Sequence, residues 1–381
     1  METSLNMNNV VDFVTRCVTL QLAVNQNGNL TSIPWLSGPP GIGKSEVIRQ
    51  ICRDKGWGLR VVYMATIMLE QITGLPAVTK DRDKESEFIR WSRPEIFNLE
   101  KLQVAPKYRE SPIIMLLDDA HLCNRQIQAY LFQLLTYRSI HDHKLPDNVA
   151  LVLAGNRGKD KAGFQEILAP VANRIFFINL HADLDQWVEG FAVKNNIRSE
   201  IISFLQHYPE CLVGKPMEST AWASPRSWTY ASINIDSFGE SLADNTLFTI
   251  LSGHVGTEAT TKFIEYHELY AKWNAAAILN ENESVEIESL SKIESYALLS
   301  SCSAFLLKSF RENGFKLSGS MEHLLGNFES ILSEMIHTNK EIVPLGLKQI
   351  LLGERTETGR NTIIERLTAD KEVVHELFDI V

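Results

Sequence analysis

Residues 37–47 read SGPPGIGKSEV, and this run constrains the fold more than any other part of the chain. It lies between a strand-like IPWLSG (Ile33–Gly38) and a helix-like SEVIRQICRDKG, and it fits G-x-x-x-x-G-K-[ST] through Gly38, Gly43, Lys44 and Ser45. Glycines at these places let backbone N–H groups turn inward around phosphate oxygens, and the following helix adds the positive end of its dipole. Pro39, Pro40, Gly41, Ile42 and Glu46 complete the stretch expected to bind a nucleotide. Lys44 is placed to neutralise β- and γ-phosphates, and the Ser45 hydroxyl to hold Mg²⁺. ATP with Mg²⁺ is therefore the expected ligand. A chance glycine-rich turn would not come with a strand before it and a helix after it.

A phosphate loop of this kind needs an acidic strand end beside it, and IIMLLDDAH (Ile113–His121) supplies one. Asp118 is expected to hold the magnesium shell through water. Asp119 is expected to orient or deprotonate an attacking water. For each acid the competing reading is a cap on the helix that follows. Asp is one methylene shorter than Glu, so Asp119 can be the base only if its strand end sits close to the γ-phosphate. His121 reads as a loop or helix-start histidine, with hydrogen bonding near the γ-phosphate as the alternative. No second His lies at helical spacing to make a metal pair with it.

Three more polar positions belong to the same chemistry. VLAGNRG ends an apolar run with Asn156, a neutral amide able to hold the lytic water or touch the γ-phosphate. In FQEILAPVANRIFF, Arg174 precedes the next apolar run, where it cannot easily reach its own subunit's nucleotide but could reach a neighbour's. That is the logic of an arginine finger acting in trans, for which Arg157 is the competing candidate. In ASPRSW, Pro225 suits a first helical turn, so Arg226 projects early from a helix and could report nucleotide state in cis.

The rest of the chain fits around these residues. LRVVYMATI, PIIMLLDD, NVALVLAGN and RIFFINL alternate with amphipathic stretches, which predicts a mainly parallel sheet covered on both faces. Apolar residues from Val10 to Val24 recur at helical spacing. The charged run Thr79–Glu87 reads as a solvated loop or hairpin tip, and Arg138–Asn148 as a short hairpin. After Leu180 only helical patterns remain, with a polar patch at Asn280–Lys292 before a last helical stretch reaching Val381. The net charge of −10 argues against a general nucleic-acid binder. Five dispersed cysteines without a C-x-x-C pair fit small apolar residues in a reducing compartment. The start lacks the pattern of a signal peptide, and no apolar run approaches the ~20 residues of a membrane span. A cytoplasmic protein is expected.

In order, GPPGIGKS, LLDDAH, AGN, ANRIFF and SPRSW resemble AAA+ ATPases, specifically the MoxR-like branch. ITGLPAV followed by IRWSRPEIF resembles that branch's insertion, and KLPDNVALVLAGN its hairpin and fourth strand. The likeness covers roughly residues 10–270. It implies an αβα core with a five-stranded parallel sheet in the order 5-1-4-3-2, followed by a helical lid. The corresponding boundaries are 1–180 for the core, with an insertion at about 73–93 and a hairpin at about 138–148, and 181–279 for the lid. Residues 280–381 make a helical extension of unassigned role. The likeness also implies a ring, a hexamer, with nucleotides at subunit interfaces, and chaperone-like remodelling of a protein client, often one bearing a von Willebrand factor A domain. Lys44 and Ser45 carry over as Walker A, Asp118 and Asp119 as Walker B, Asn156 as sensor 1, Arg174 as the finger and Arg226 as sensor 2. The branch's D-E-x-N is D-D-A-H here, which replaces the Glu base by Asp119 and the Asn by His121. Paired Asp also occurs in replication initiators, so a nucleic-acid-acting ATPase is the rival reading, and a nucleotide-gated scaffold with very slow hydrolysis is another.

Overall fold

The computed structural model describes residues 4–5, 7–26, 31–80, 87–107, 111–158, 165–215, 221–239, 244–281, 284–313, 319–344, 346–347 and 350. The chain divides into two compact units, Met1–Asp183 and Leu184–Val381.

The first unit runs β1 (Ser4–Leu5), α1 (Met7–Gln26), β2 (Ile33–Ser37), α2 (Lys44–Lys55), β3 (Gly58–Tyr63), α3 (Leu69–Thr73), β4 (Pro76–Lys80), β5 (Glu87–Trp91), β6 (Ile113–Asp118), α4 (Arg125–Tyr137), β7 (Ser139–Ile140), β8 (His143–Lys144), β9 (Val149–Gly155), α5 (Ala169–Ala172) and β10 (Ile175–Leu180). The main sheet has the order β1-β10-β2-β9-β6-β3, all parallel. Its five longer strands, counted along the chain, follow 5-1-4-3-2. The expectation of five strands needs one correction, because the two-residue β1 adds a sixth at the edge, pairing Ser4 with Asn179 and Leu5 with Leu180.

The continuous apolar runs are explained by burial on both faces. Along β9, Ala150, Val152 and Ala154 join Leu36 and Leu116 against Val10, Val14 and Val18 of α1 and Ile48 and Ile51 of α2. Val149, Leu151 and Leu153 join Trp35, Met115 and Leu117 against Ile127, Leu131 and Leu134 of α4 on the other face. One buried polar side chain completes the sheet. The Gln21 amide donates to Leu151 O at 2.8 Å and accepts from Leu151 N–H at 2.9 Å. It thereby pairs the end of β9 that lies beyond the first β2 partner, Trp35↔Leu153.

Two antiparallel hairpins project from this frame. β4 pairs with β5, Val78 opposite Ile89, and the tip at 81–86 lies outside the described residues, as does most of the charged run expected there. β7 pairs with β8. Trp91 stacks on His141, with centroids 4.1 Å apart and planes 8° apart, and His143 Nε2 lies 3.0 Å from Trp91 O.

The second unit is helical: α6 (Leu184–Trp187), α7 (Ser199–His207), α8 (Pro225–Phe238), α9 (Asp244–Val255), α10 (Thr257–Lys272), α11 (Ala275–Glu281), α12 (Lys292–Glu312) and α13 (Gly319–Asn339). Phe204, Trp228, Phe263 and Tyr266 form an aromatic centre. Leu298, Leu306, Leu325 and Phe328 centre a second apolar cluster, to which Ile287 of the polar patch also belongs. The helical stretch expected beyond residue 350 lies outside the described residues. No helix among the described residues is long and apolar enough to cross a membrane. Burial pushes the thiols of Cys52, Cys123 and Cys302 up to about 12, which marks them as unreactive core residues.

Candidate nucleotide site

The carboxyl ends of β2, β9 and β6 lie side by side, with Ser37 opposite Gly155 and Leu153 opposite Leu117. The polar residues that follow or end these strands are thereby brought into one place, at the edge where open α/β sheets bind ligands.

The phosphate loop closes this edge. Gly41 and Gly43 have φ of 83° and 95°, in the left-handed region open to glycine, and Gly43 caps α2 so that the helix starts at Lys44. Gly38 suits a close approach, because a Cβ there would stand 2.6 Å from Ile42 Cδ1 and 3.0 Å from Leu180 O. Its N–H donates to Gly155 O at 3.3 Å, which ties the loop to β9. The first-turn N–H groups of α2 have no intrahelical acceptor, so Lys44, Ser45 and Glu46 present a built-in anion site. The Glu46 carboxylate is turned elsewhere, 2.6 Å from Arg53 and 3.7 Å from Arg49, so only its backbone faces the loop chemistry.

Lys44 is buried, and its Nζ donates to Gly38 O at 2.9 Å, Pro39 O at 2.8 Å and Asn156 Oδ1 at 2.9 Å. Ser45 Oγ donates to Asp118 Oδ2 at 2.6 Å. A hydroxyl and a carboxylate so placed are hard oxygen donors, and this pair suits Mg²⁺, which takes its other ligands from water and phosphate. Asp119 follows with φ of 54°, and its N–H donates to Asp118 Oδ1 at 3.1 Å. Its side chain makes no cap on the short turn at Ala120–Leu122, so capping does not account for it.

His121 lies in the short helical turn Ala120–Leu122, the loop or helix-start position expected of it, and it is 1% exposed, folded beneath the end of β9. Its Nε2 lies 3.1 Å from Asn156 Nδ2. An added Cβ at Gly155 would stand 3.1 Å from His121 Nδ1 and 3.0 Å from the Trp35 ring, so glycine makes the room. The signal in the sequence was its place three residues beyond a strand-end Asp, in line with the G-N that ends the next strand.

Arg174 lies apart from this cluster. Arg174 precedes β10 at the amino-terminal edge of the sheet, where Ile175 pairs with Ile33. The phosphate loop leaves the opposite end of β2, five residues or roughly 17 Å along the strand. The Arg174 guanidinium donates to Thr136 Oγ1 and, at 2.7 Å, to Pro170 O, and it lies 4.2 Å from the centroid of the Phe132 ring. Arg157 is half-buried directly after Asn156. In the second unit, Arg226 is exposed in the first turn of α8, a helix capped by Ser224, which accepts from Ser227 N–H at 3.1 Å.

No protein-family model matches the chain, and no curated protein matches it. Among solved structures it is similar to RuvB of Thermotoga maritima. A point mutant is 14% identical, covers 88% of this chain and 87% of its own, and gives a TM-score of 0.33. A structure described as the RuvB Holliday junction branch migration motor is 12% identical over the same shares, with a TM-score of 0.28. Another mutant is 12% identical, covering 81% of this chain and 96% of its own at 0.31. Scores this low describe a loose global likeness. The P-loop α/β architecture is evident from the strand order, the phosphate loop and the helices on both faces of the sheet.

Proposed function

We propose that the chain is an AAA+ ATPase that binds ATP with Mg²⁺ and hydrolyses it. The observation that carries this reading is the convergence of Lys44, Ser45, Asp118 and Asn156 at three neighbouring strand ends. Ser45 Oγ stands 2.6 Å from Asp118 Oδ2 and Lys44 Nζ 2.9 Å from Asn156 Oδ1. Lys44 leaves the loop carbonyls for the β- and γ-phosphates, and the first-turn amides of α2 hold the remaining oxygens. Ser45 and Asp118 would hold Mg²⁺, which supplies charge neutralisation on the phosphates. Asp119 takes a proton from the attacking water while Asn156 orients that water. Arg174 serves the nucleotide of the next subunit in a ring, hexameric by the resemblance, and Arg226 reports nucleotide state from the helical unit.

The work done is remodelling of a protein client of the MoxR-like kind, for which a von Willebrand factor A domain protein is one candidate. The hairpin of β4 and β5 supports a protein partner, since Val78 and Ile89 share one of its faces and are 69% and 64% exposed. Phosphate release should require Mg²⁺, disappear in EDTA and fall at least a hundredfold in Lys44→Ala. Unchanged ATP affinity in Lys44→Ala would sink the reading. DNA binding that weakens steeply with salt would favour the nucleic-acid-acting rival over a protein client.

A further inference from the structure

We infer that His121 is a positioning residue, which sets the orientation of the Asn156 amide through the hydrogen bond between its Nε2 and Asn156 Nδ2. The inference rests on the ATPase reading above and goes beyond it by giving a role to a residue outside the phosphate loop and the acid pair.

Donor and acceptor chemistry fixes the chain of bonds. The Lys44 ammonium can only donate, so the oxygen of the Asn156 amide faces it, at 2.9 Å. Nδ2 then faces His121, at 3.1 Å, and because Nδ2 is a donor, Nε2 must accept. Lys44 and His121 are the two side chains that hold the Asn156 amide among the described residues.

When the phosphates draw Lys44 away, its hold on the amide is lost and that of His121 remains. An attacking water has two protons to place, one on the Asp119 carboxylate, which takes it, and one toward Asn156 Oδ1, so that a lone pair meets the γ-phosphorus. The new bond forms from water oxygen to phosphorus as the bond to the β-phosphate oxygen breaks. A flipped amide would offer that water a donor instead of an acceptor and turn its lone pair away. His121 is held firmly enough to prevent the flip. Its ring is 1% exposed, its carbonyl accepts Gln165 N–H at 2.8 Å, and Gly155 leaves the ring its space.

The test compares His121→Gln with His121→Met, side chains of equal length of which only Gln has a strong acceptor for Asn156 Nδ2. Steady-state phosphate release gives kcat, and a fluorescent ATP analogue gives nucleotide affinity, on variants whose folding is checked by melting temperature. His121→Met should lower kcat about tenfold or more with affinity within about twofold, while His121→Gln recovers most of the rate. Adding His121→Met to Asn156→Ala should cost nothing more, because the two residues act as one unit. Wild-type kcat in His121→Met, or losses that multiply in the double variant, would overturn the inference and leave the ATPase reading intact. Absence of hydrolysis by the wild type would overturn both.

Discussion

Ser45 donates to Asp118 across 2.6 Å, so the hydroxyl and carboxylate that suit Mg²⁺ are already held together by each other. Such preorganisation lowers the cost of assembling the metal site. Asp118→Asn keeps an oxygen to accept from Ser45 but removes the charge. It should leave ATP affinity in EDTA within about twofold and lower Mg²⁺-dependent phosphate release by about a hundredfold. Parallel measurements of nucleotide fluorescence and phosphate release check this, and an equal loss in both would mean that Asp118 shapes the loop instead of serving the metal.

Asp119 adopts φ of 54°, a conformation that Asn and Asp enter more readily than longer side chains because they can bond to nearby backbone. The backbone here thus favours the shorter acid over the Glu expected from the resemblance. Asp119→Asn should fold as stably as the wild type while kcat falls about 10²- to 10⁴-fold. Asp119→Glu should lose roughly 1 kcal/mol of stability in urea titrations from its left-handed backbone.

These two acids also mark what the sequence can and cannot reveal. GPPGIGKS and LLDD were legible because phosphate and metal chemistry demand residue types at fixed local spacing, and the strand order came with the resemblance to which those motifs belong. The contact of His121 with Asn156 was not legible, since it joins residues brought together only when β6 and β9 pair. The two-residue β1 is too short to carry a periodic signal. Gln21 interrupts the apolar stripe of α1, and its partner Leu151 lies 130 residues along the chain, so their pairing leaves no local signal.

Gln21→Leu tests that last relationship. The substitution keeps the apolar contacts of the helix but leaves both backbone groups of Leu151 without the amide that pairs them. A stability loss of about 1–3 kcal/mol is expected from urea unfolding. ATP affinity should not change, because the lesion lies at the end of β9 remote from Asn156. A change below the error of the titration would show that water replaces the amide at little cost.

The helical unit carries a pH-dependent pair. His267 hydrogen-bonds the buried carboxylate of Glu200, and that bond holds its pKa above the ordinary 6.5, against the opposing effect of its own burial. Asp244 adds to the rise and Arg198, 3.8 Å from Glu200, opposes it. A pKa raised on folding stabilises fully below the unfolded value and loses that contribution as pH rises through the folded one. The melting temperature of wild type relative to His267→Gln should therefore stand highest near pH 5.5 and decline toward pH 9. A constant difference across that range would assign the pair to packing alone.

Arg174 is held by Thr136, by Pro170 O at 2.7 Å and by the Phe132 ring at 4.2 Å, which fixes its guanidinium at the sheet edge away from its own phosphate loop. A finger acting in trans needs such a stiff mount, since a loosely held side chain would lose entropy on each encounter. Arg174→Ala should bind ATP normally, lose about 10³-fold or more in hydrolysis, and lose about 0.5–1 kcal/mol of stability with the ring contact. Neither Arg174→Ala nor Asp119→Asn subunits alone should turn over ATP. Mixed, they should regain activity, because some interfaces then join an intact Asp119 in one subunit to an intact Arg174 in the next. Wild-type turnover by Arg174→Ala alone would move the finger to Arg157, and mixed subunits that stay inactive despite assembling would place Arg174 in the service of its own subunit's fold.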